Sequence, residues 1–151
     1  MGDRARGQDL IVYVDTSAVV KRVLIENESS ALVDYLDAAV ADHGAALVSA
    51  TVTEVEVARR FHREGTADDV PGAVANTLAG VSLIPIDRRI ERAAMSIPDQ
   101  YLRSFDALHV ASAQRVNATE FVTYDKRQAD AARAAGFSVV VPGGKIDASA
   151  D

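Results

Sequence analysis

The sequence predicts an α/β fold of three layers, with a central, mostly parallel sheet between helices on both faces. Two observations carry this. Residues 10–14 (LIVYV) form a continuous apolar, β-branched run, as expected of a strand buried on both sides in a parallel sheet. Short apolar runs then alternate with segments of helical periodicity along the chain, the order that builds parallel sheets. A length of 151 residues, 48% hydrophobic and 25% charged, suits one domain with a buried core.

Residues 1–9 are polar and read as a flexible N-terminal arm, and the domain proper spans 10–142. After the first strand, Asp15-Thr16-Ser17 supplies helix-start residues, and a helix is expected to run to about Ile25. Leu32, Val33, Leu36, Ala39 and Val40 recur at helical spacing over 30–42, and Gly44 ends that helix. Residues 45–48 read as a short strand and 51–63 as a helix stopped near Gly65. A helix over 68–78 is expected despite Pro71 and Gly72 near its start. Residues 81–86 (VSLIPI) read as a strand whose proline fits an edge position. Helices over 87–95, 105–116 and 126–135 and strands over 119–124 and 138–141 complete the pattern. Pro142-Gly143-Gly144 stops the last strand, and 143–151 reads as a flexible C-terminal tail.

With no cysteine, disulfides, thiol chemistry and cysteine zinc sites are excluded. His43, His62 and His109 have no zinc-binding spacing. No apolar run is long enough for a signal peptide or a membrane span, so the expected compartment is the cytoplasm. A net charge of −6 argues against a protein that holds nucleic acid mainly by a basic surface. It does not exclude a nuclease, because a bound metal inverts the local charge of an acidic site.

Three aspartates follow strands: Asp15, Asp87 and Asp125. Each alone reads as a helix N-cap. In an open parallel sheet, however, the carboxyl ends of the strands share one edge, where ligands bind, so Asp15 and Asp125 can meet. Asp106 lies in the first turn of the 105–116 helix, where the macrodipole favours an anion and Ser104 is the expected cap. Converging carboxylates repel by about 4 kcal/mol per pair at 4 Å and an effective dielectric near 20. Such a cluster takes up a proton or a metal, and oxygen donors alone select a hard cation such as Mg²⁺ or Mn²⁺. Asp87 is read as a cap.

The motifs then become recognisable. YVDTSA over 13–18 resembles the first motif of PIN-domain nucleases, SFDALHVASA over 104–113 resembles their central helix, and FVTYDKRQADAARAAGF over 121–137 resembles the following block. TEVEVARR over 53–60 and the closing VVVPGG keep the order, so the resemblance spans nearly the whole domain. The single-domain format resembles VapC-type toxins of bacterial toxin–antitoxin pairs. The resemblance implies a PIN-like fold and a Mg²⁺-dependent endoribonuclease, with Mn²⁺ as a substitute. It implies an RNA substrate, a homodimer and a VapB-type antitoxin partner. It also implies that Asp15, a glutamate of the TEVEVARR helix, Asp106 and Asp125 are catalytic and hold the metal.

Glu54 and Glu56 are about 200° apart on a helix and cannot share a face. Thr51 and Thr53 offer each of them a capping box, so local rules do not choose. The family pattern sets the acid shortly before an arginine, as in Glu56-Val57-Ala58-Arg59, which selects Glu56 with Glu54 as the fallback. Thr16, Ser17 and Thr123 flank the acids and are candidates to bind a metal water or a phosphate, Ser17 and Thr123 before Thr16; local capping and turn hydrogen bonding is the competing role. His109, three residues after Asp106, reads as a structural or orienting residue rather than a general base, because a metal-activated water needs no histidine base. Arg59, Arg60, Arg103, Lys126 and Arg127 are candidates to grip phosphates, Arg103 and Lys126 first. The apolar faces of the first two helices serve the core in the simplest account, or a dimer or antitoxin interface. The rival functional readings are a catalytically inactive PIN scaffold that binds RNA or protein, and a phosphotransfer enzyme using Asp15. The second lacks the paired acids such enzymes carry after the first strand.

Overall fold

The computed structural model describes residues 9–144. The expected arm and tail therefore lie, apart from Asp9, Gly143 and Gly144, outside the described residues. Five strands form one sheet: β1 (Ile11–Val14), β2 (Ala46–Ala50), β3 (Val81–Ile84), β4 (Glu120–Val122) and β5 (Ser138–Val140). All pair in parallel, in the order β3-β2-β1-β4-β5. Seven α-helices join them among the described residues: α1 (Thr16–Val19), α2 (Ser29–His43), α3 (Thr51–Glu64), α4 (Val70–Thr77), α5 (Arg88–Met95), α6 (Ser104–Arg115) and α7 (Lys126–Ala134).

Strand alternation divides the core between the two faces. Val12, Val14, Leu47 and Val122 point to one side and pack with Leu32 and Leu36 of α2 and with Val57 and Phe61 of α3. Tyr13, Val48 and Phe121 point to the other, against Val110 and Ala113 of α6 and Ala131 and Ala132 of α7. This is the three-layer arrangement that the apolar runs predict.

The departures are local. The first helix stops at Val19, short of the expected Ile25, and tightens into a 3₁₀ turn over Val20–Arg22. Val19, Val20 and Val23 are β-branched, which weakens a helix. The turn also brings the Lys21 ammonium inward, 2.5 Å from Glu26 Oε2, 3.1 Å from Glu28 Oε2 and 4.7 Å from the centre of the Tyr124 ring. β2 runs two residues past its expected end, through Ser49 and Ala50. β3 ends at Ile84, because Pro85 has no N–H for a ladder, and β3 is an edge strand as that proline requires. Gly44 closes α2 at φ 64°, a left-handed conformation that glycine adopts without steric cost. No helix of the described residues is long and apolar enough to cross a membrane.

The strand order positions the site. From β1 the chain winds to β2 and β3, then returns to add β4 and β5 on the other side of β1. The crevice between the carboxyl ends of β1 and β4 is therefore the point at which the winding reverses.

Candidate active site

Asp15 leaves the end of β1 and caps α1. Its Oδ1 accepts from the Ala18 amide at 3.1 Å and from Ser17 Oγ at 2.6 Å. Its Oδ2 accepts from Thr123 Oγ1 at 2.5 Å, across the β1–β4 crevice. Each hydroxyl has one proton and gives it to Asp15, so both turn lone pairs to backbone amides. Ser17 Oγ accepts from Tyr124 N (2.9 Å) and Thr123 Oγ1 from Asp125 N (3.1 Å). Asp15 is only 3% exposed. Burial raises its carboxyl above the usual range, against the opposing pull of the Ser17 and Thr123 hydroxyls.

Glu56 comes from the second turn of α3. Its Oε1 accepts from Thr16 Oγ1 at 2.8 Å and lies 2.6 Å from His109 Nε2. The other imidazole nitrogen, Nδ1, is 2.7 Å from the Tyr13 hydroxyl. Burial pushes the Tyr13 phenol well above its ordinary pKa, so the hydroxyl keeps its proton, and in a neutral imidazole whose Nε2 faces the Glu56 carboxylate it is Nδ1 that accepts that proton. Nε2 then carries the hydrogen that Glu56 accepts. A buried phenol–imidazole–carboxylate chain thus fixes one oxygen of Glu56, while Oε2 accepts no hydrogen bond among the described residues. Glu54 is exposed and lies outside the cavity. The capping boxes that Thr51 and Thr53 offered do not form: α3 has no side-chain cap, and Thr53 Oγ1 pairs with Ser49 Oγ at 2.7 Å.

Asp106 sits in the first turn of α6. Ser104 is not its cap, contrary to the sequence expectation. It is the first helical residue, Arg103 occupies the capping position, and no side chain caps the helix. The Asp106 carboxyl is raised by burial and by the neighbouring carboxylates of Asp125 and Glu56. Asp125 is exposed and caps α7, with Oδ1 accepting from Gln128 N at 3.1 Å. Asp87 also behaves as a cap, bonding Ile90 N at 3.0 Å on the edge-strand side, and lines neither acidic cavity.

Asp15, Glu56, Asp106 and Asp125, from four separate elements, line one cavity of about 400 Å³. A second, of about 480 Å³, shares Glu56, Phe105, Asp106 and Asp125 with it. Arg59, Arg60 and Arg63 border the first, and Arg103 and Arg127 the second. Lys126, expected near the acids, lines neither, and Arg127 takes that place. Three participants escaped the sequence reading. Tyr13 is the single polar residue in LIVYV, Arg63 lies seven residues after Glu56 on the same helical face, and Phe105 immediately precedes Asp106.

Among the described residues, no three acidic or histidine side chains converge tightly enough to enclose one ion directly. The donor set is nevertheless all oxygen around a polar trough, and Glu56 Oε2 and Asp125 Oδ2 are free of protein hydrogen bonds among the described residues. Such a set fits a hard divalent cation that keeps part of its water shell.

A family model described as PIN domain matches residues 12–134. The chain is 39% identical over 137 residues to Ribonuclease VapC35 of Mycobacterium tuberculosis, covering 88% of this chain and 98% of that protein. It is 36% identical over 133 residues to Ribonuclease VapC46 of the same species, covering 87% and 97%. In fold it is similar to the crystal structure of M. tuberculosis VapC20, a sarcin–ricin-loop-cleaving toxin, with TM-score 0.65, 18% identity and coverage of 87% and 99%. It is also similar to VapBC2 of Rickettsia felis bound to a promoter DNA fragment, with TM-score 0.65, 11% identity and coverage of 87% and 98%.

Proposed function

The chain belongs to the PIN-domain family, and from that premise we propose that it is a Mg²⁺-dependent endoribonuclease, the toxin of a VapBC-type pair. The observation that carries this reading is the meeting of four carboxylates from four elements around one cavity at the reversal point of a parallel sheet. Mg²⁺, or Mn²⁺ in its place, when bound there supplies positive charge for the phosphodiester and lowers the pKa of a water.

The chain's own residues prepare the site. Thr16 and His109 hold Glu56 by one oxygen and leave the other free for a cation or its water. Ser17 and Thr123 hold both oxygens of the Asp15 carboxyl in place at the crevice, and their hydrogen bonds favour its ionised form against the cost of burial. Burial and the neighbouring carboxylates of Asp125 and Glu56 disfavour the ionised form of Asp106, which makes a cation the favourable occupant. The bordering arginines attract RNA phosphates toward an otherwise repulsive acidic centre. The products are a 5′-phosphate and a 3′-hydroxyl. The protein acts in the cytoplasm as a homodimer and is silenced by a VapB-type antitoxin.

Asp15→Asn and Asp106→Asn should each abolish Mg²⁺-dependent cleavage of a mixed RNA substrate while circular dichroism shows an intact fold. Full activity in both would overturn the assignment. One observation favours a second reading, a PIN scaffold that binds RNA or protein without cutting: Asp15 already accepts three hydrogen bonds from the chain. Titrating Mg²⁺ into the wild type with that RNA separates the two, since a scaffold binds without producing fragments.

A further inference from the structure

Phe105 is a large apolar side chain in an unusual setting. It is 48% exposed, directly precedes Asp106, and sits in the first turn of α6. Among the exposed large hydrophobic residues of the described part, it alone lines both acidic cavities. An isolated exposed apolar residue ordinarily needs no explanation. This one stands where the two cavities join, beside the carboxylates assigned above to phosphodiester chemistry.

The cations around it are divided. On α3, Arg59 and Arg63 share the helical face of Glu56 and have no carboxylate partner among the described residues. Arg60, between them, is tied to Glu64 and lies 3.9 Å from Glu26. On the far side of the acids, Arg103 and Arg127 line the second cavity and are likewise without a carboxylate partner among the described residues. The two cavities thus form one trough. Its centre is acidic with one aromatic face, and each end carries two arginines available for anions.

We propose that Phe105 is the stacking platform for an unpaired nucleobase next to the cleaved bond. Arg59 and Arg63 hold the backbone phosphates on one side of the cut, and Arg103 and Arg127 those on the other. The proposal rests on the ribonuclease reading and names the form of its substrate. In an RNA duplex the base faces are covered by their neighbours, so an aromatic platform rewards a single-stranded or looped segment. A rigid ring anchored by a helix loses little conformational freedom on contact, and stacking tolerates any base.

The test uses a short single-stranded oligoribonucleotide of mixed sequence with 2-aminopurine beside its cleavage site, in EDTA so that binding is read without cutting. The wild type should quench the 2-aminopurine and prefer the single strand to the same strand annealed to its complement. Phe105→Ala should remove the quenching and weaken binding about tenfold or more. Phe105→Trp should retain both, and Phe105→Leu, which keeps bulk without an aromatic face, should behave like Phe105→Ala. Replacing either arginine pair by glutamine should lower the salt slope of binding by about 1.4, roughly 0.7 for each phosphate no longer neutralised. Trimming the strand on one side of the cut should silence one pair only. Wild-type quenching and affinity in both Phe105→Ala and Phe105→Leu would overturn the platform, as would equal affinity for the duplex. Both arginine pairs responding to the same side would overturn the trough. Loss of a protein partner with RNA binding intact would assign Phe105 to that interface instead. A wild type that neither binds nor cuts RNA would sink the ribonuclease reading itself, an outcome distinct from all of these.

Discussion

Tyr13→Phe removes one oxygen atom from a fully buried side chain and tests the chain of bonds that reaches Glu56. The ring keeps its stacking on Phe121 at 4.9 Å between centroids and its edge contact with His109 at 5.9 Å. What disappears is the 2.7 Å bond between the hydroxyl and His109 Nδ1. Its net contribution is about 1 kcal/mol, and a buried ring nitrogen left without its donor adds about 1–2 kcal/mol. The expected destabilisation is therefore about 2–3 kcal/mol. For a domain of this length that lowers Tm by roughly 4–12 °C. Urea unfolding should show a lower midpoint with an unchanged slope, because the surface exposed on unfolding is the same. Cleavage should fall by roughly tenfold at saturating metal. Glu56 keeps its 2.8 Å bond from Thr16, but the His109 ring that fixes the same oxygen loses its anchor. The wild-type ¹⁵N spectrum of His109 should show the Nε2–H tautomer. Unchanged or increased stability in Tyr13→Phe, or an Nδ1–H tautomer in the wild type, would refute the donor assignments.

Asp106→Asn should raise stability at neutral pH while abolishing activity. Burial, Asp125 and Glu56 raise the Asp106 carboxyl, so its proton is held more tightly in the folded than in the unfolded chain. The resulting stability is complete below the unfolded pKa of about 4 and is lost as pH rises through the folded value. Removing the charge should therefore gain up to about 1 kcal/mol, or roughly 2–4 °C in Tm, at pH 7, after discounting for solvent screening and the lost dipole interaction. The gain should vanish near pH 3, and Mg²⁺ should stabilise the wild type but not the variant in the same melt. Glu56→Gln should cut cleavage by about a hundredfold or more, whereas Glu54→Gln should leave it within about twofold, since only Glu56 reaches the cavity. Equal losses in a side-by-side assay would return the choice to Glu54. Thr123→Val should cost about 2–4 kcal/mol by chemical denaturation, because it removes a donor from buried Asp15 and an acceptor from the Asp125 amide.

The tension between stability and function at Asp106 fits the energetics of the whole site. Carboxylates from separate elements gain nothing from proximity until something positive joins them. Their partners in the fold, by contrast, are fully matched. Ser17 and Thr123 around Asp15, and Tyr13 and His109 behind Glu56, form two polar networks in which each assigned proton has an acceptor. A satisfied network of this kind is rigid, which suits a site that must hold charge in fixed places.

Much of this was legible along the chain. The run at 10–14 suits a buried strand and Gly44 a helix stop, as Ile11–Val14 and the end of α2 bear out, and Asp87 behaves as the cap its position suggests. These features depend on neighbours a few residues away, and local backbone rules are strong there. The choice between Glu54 and Glu56 had no local answer. Val52, Val55, Val57, Ala58 and Phe61 are spread around most of the circumference of α3, so its apolar pattern does not say which side docks. Packing buries Val52, Thr53, Val57 and Phe61, leaves Val55 54% exposed, and thereby turns Glu56 inward. The same holds for Ser104, a good capping residue by type that the docking of α6 carries one position into the helix. The bond from Thr123 to Asp15 spans 108 residues and exists because β4 returns to pair with β1. Strand order is a property of the assembled sheet, set by which faces bury together. The sequence by itself determined which acids stand at strand ends, and only the tertiary structure decided which of them share a cavity.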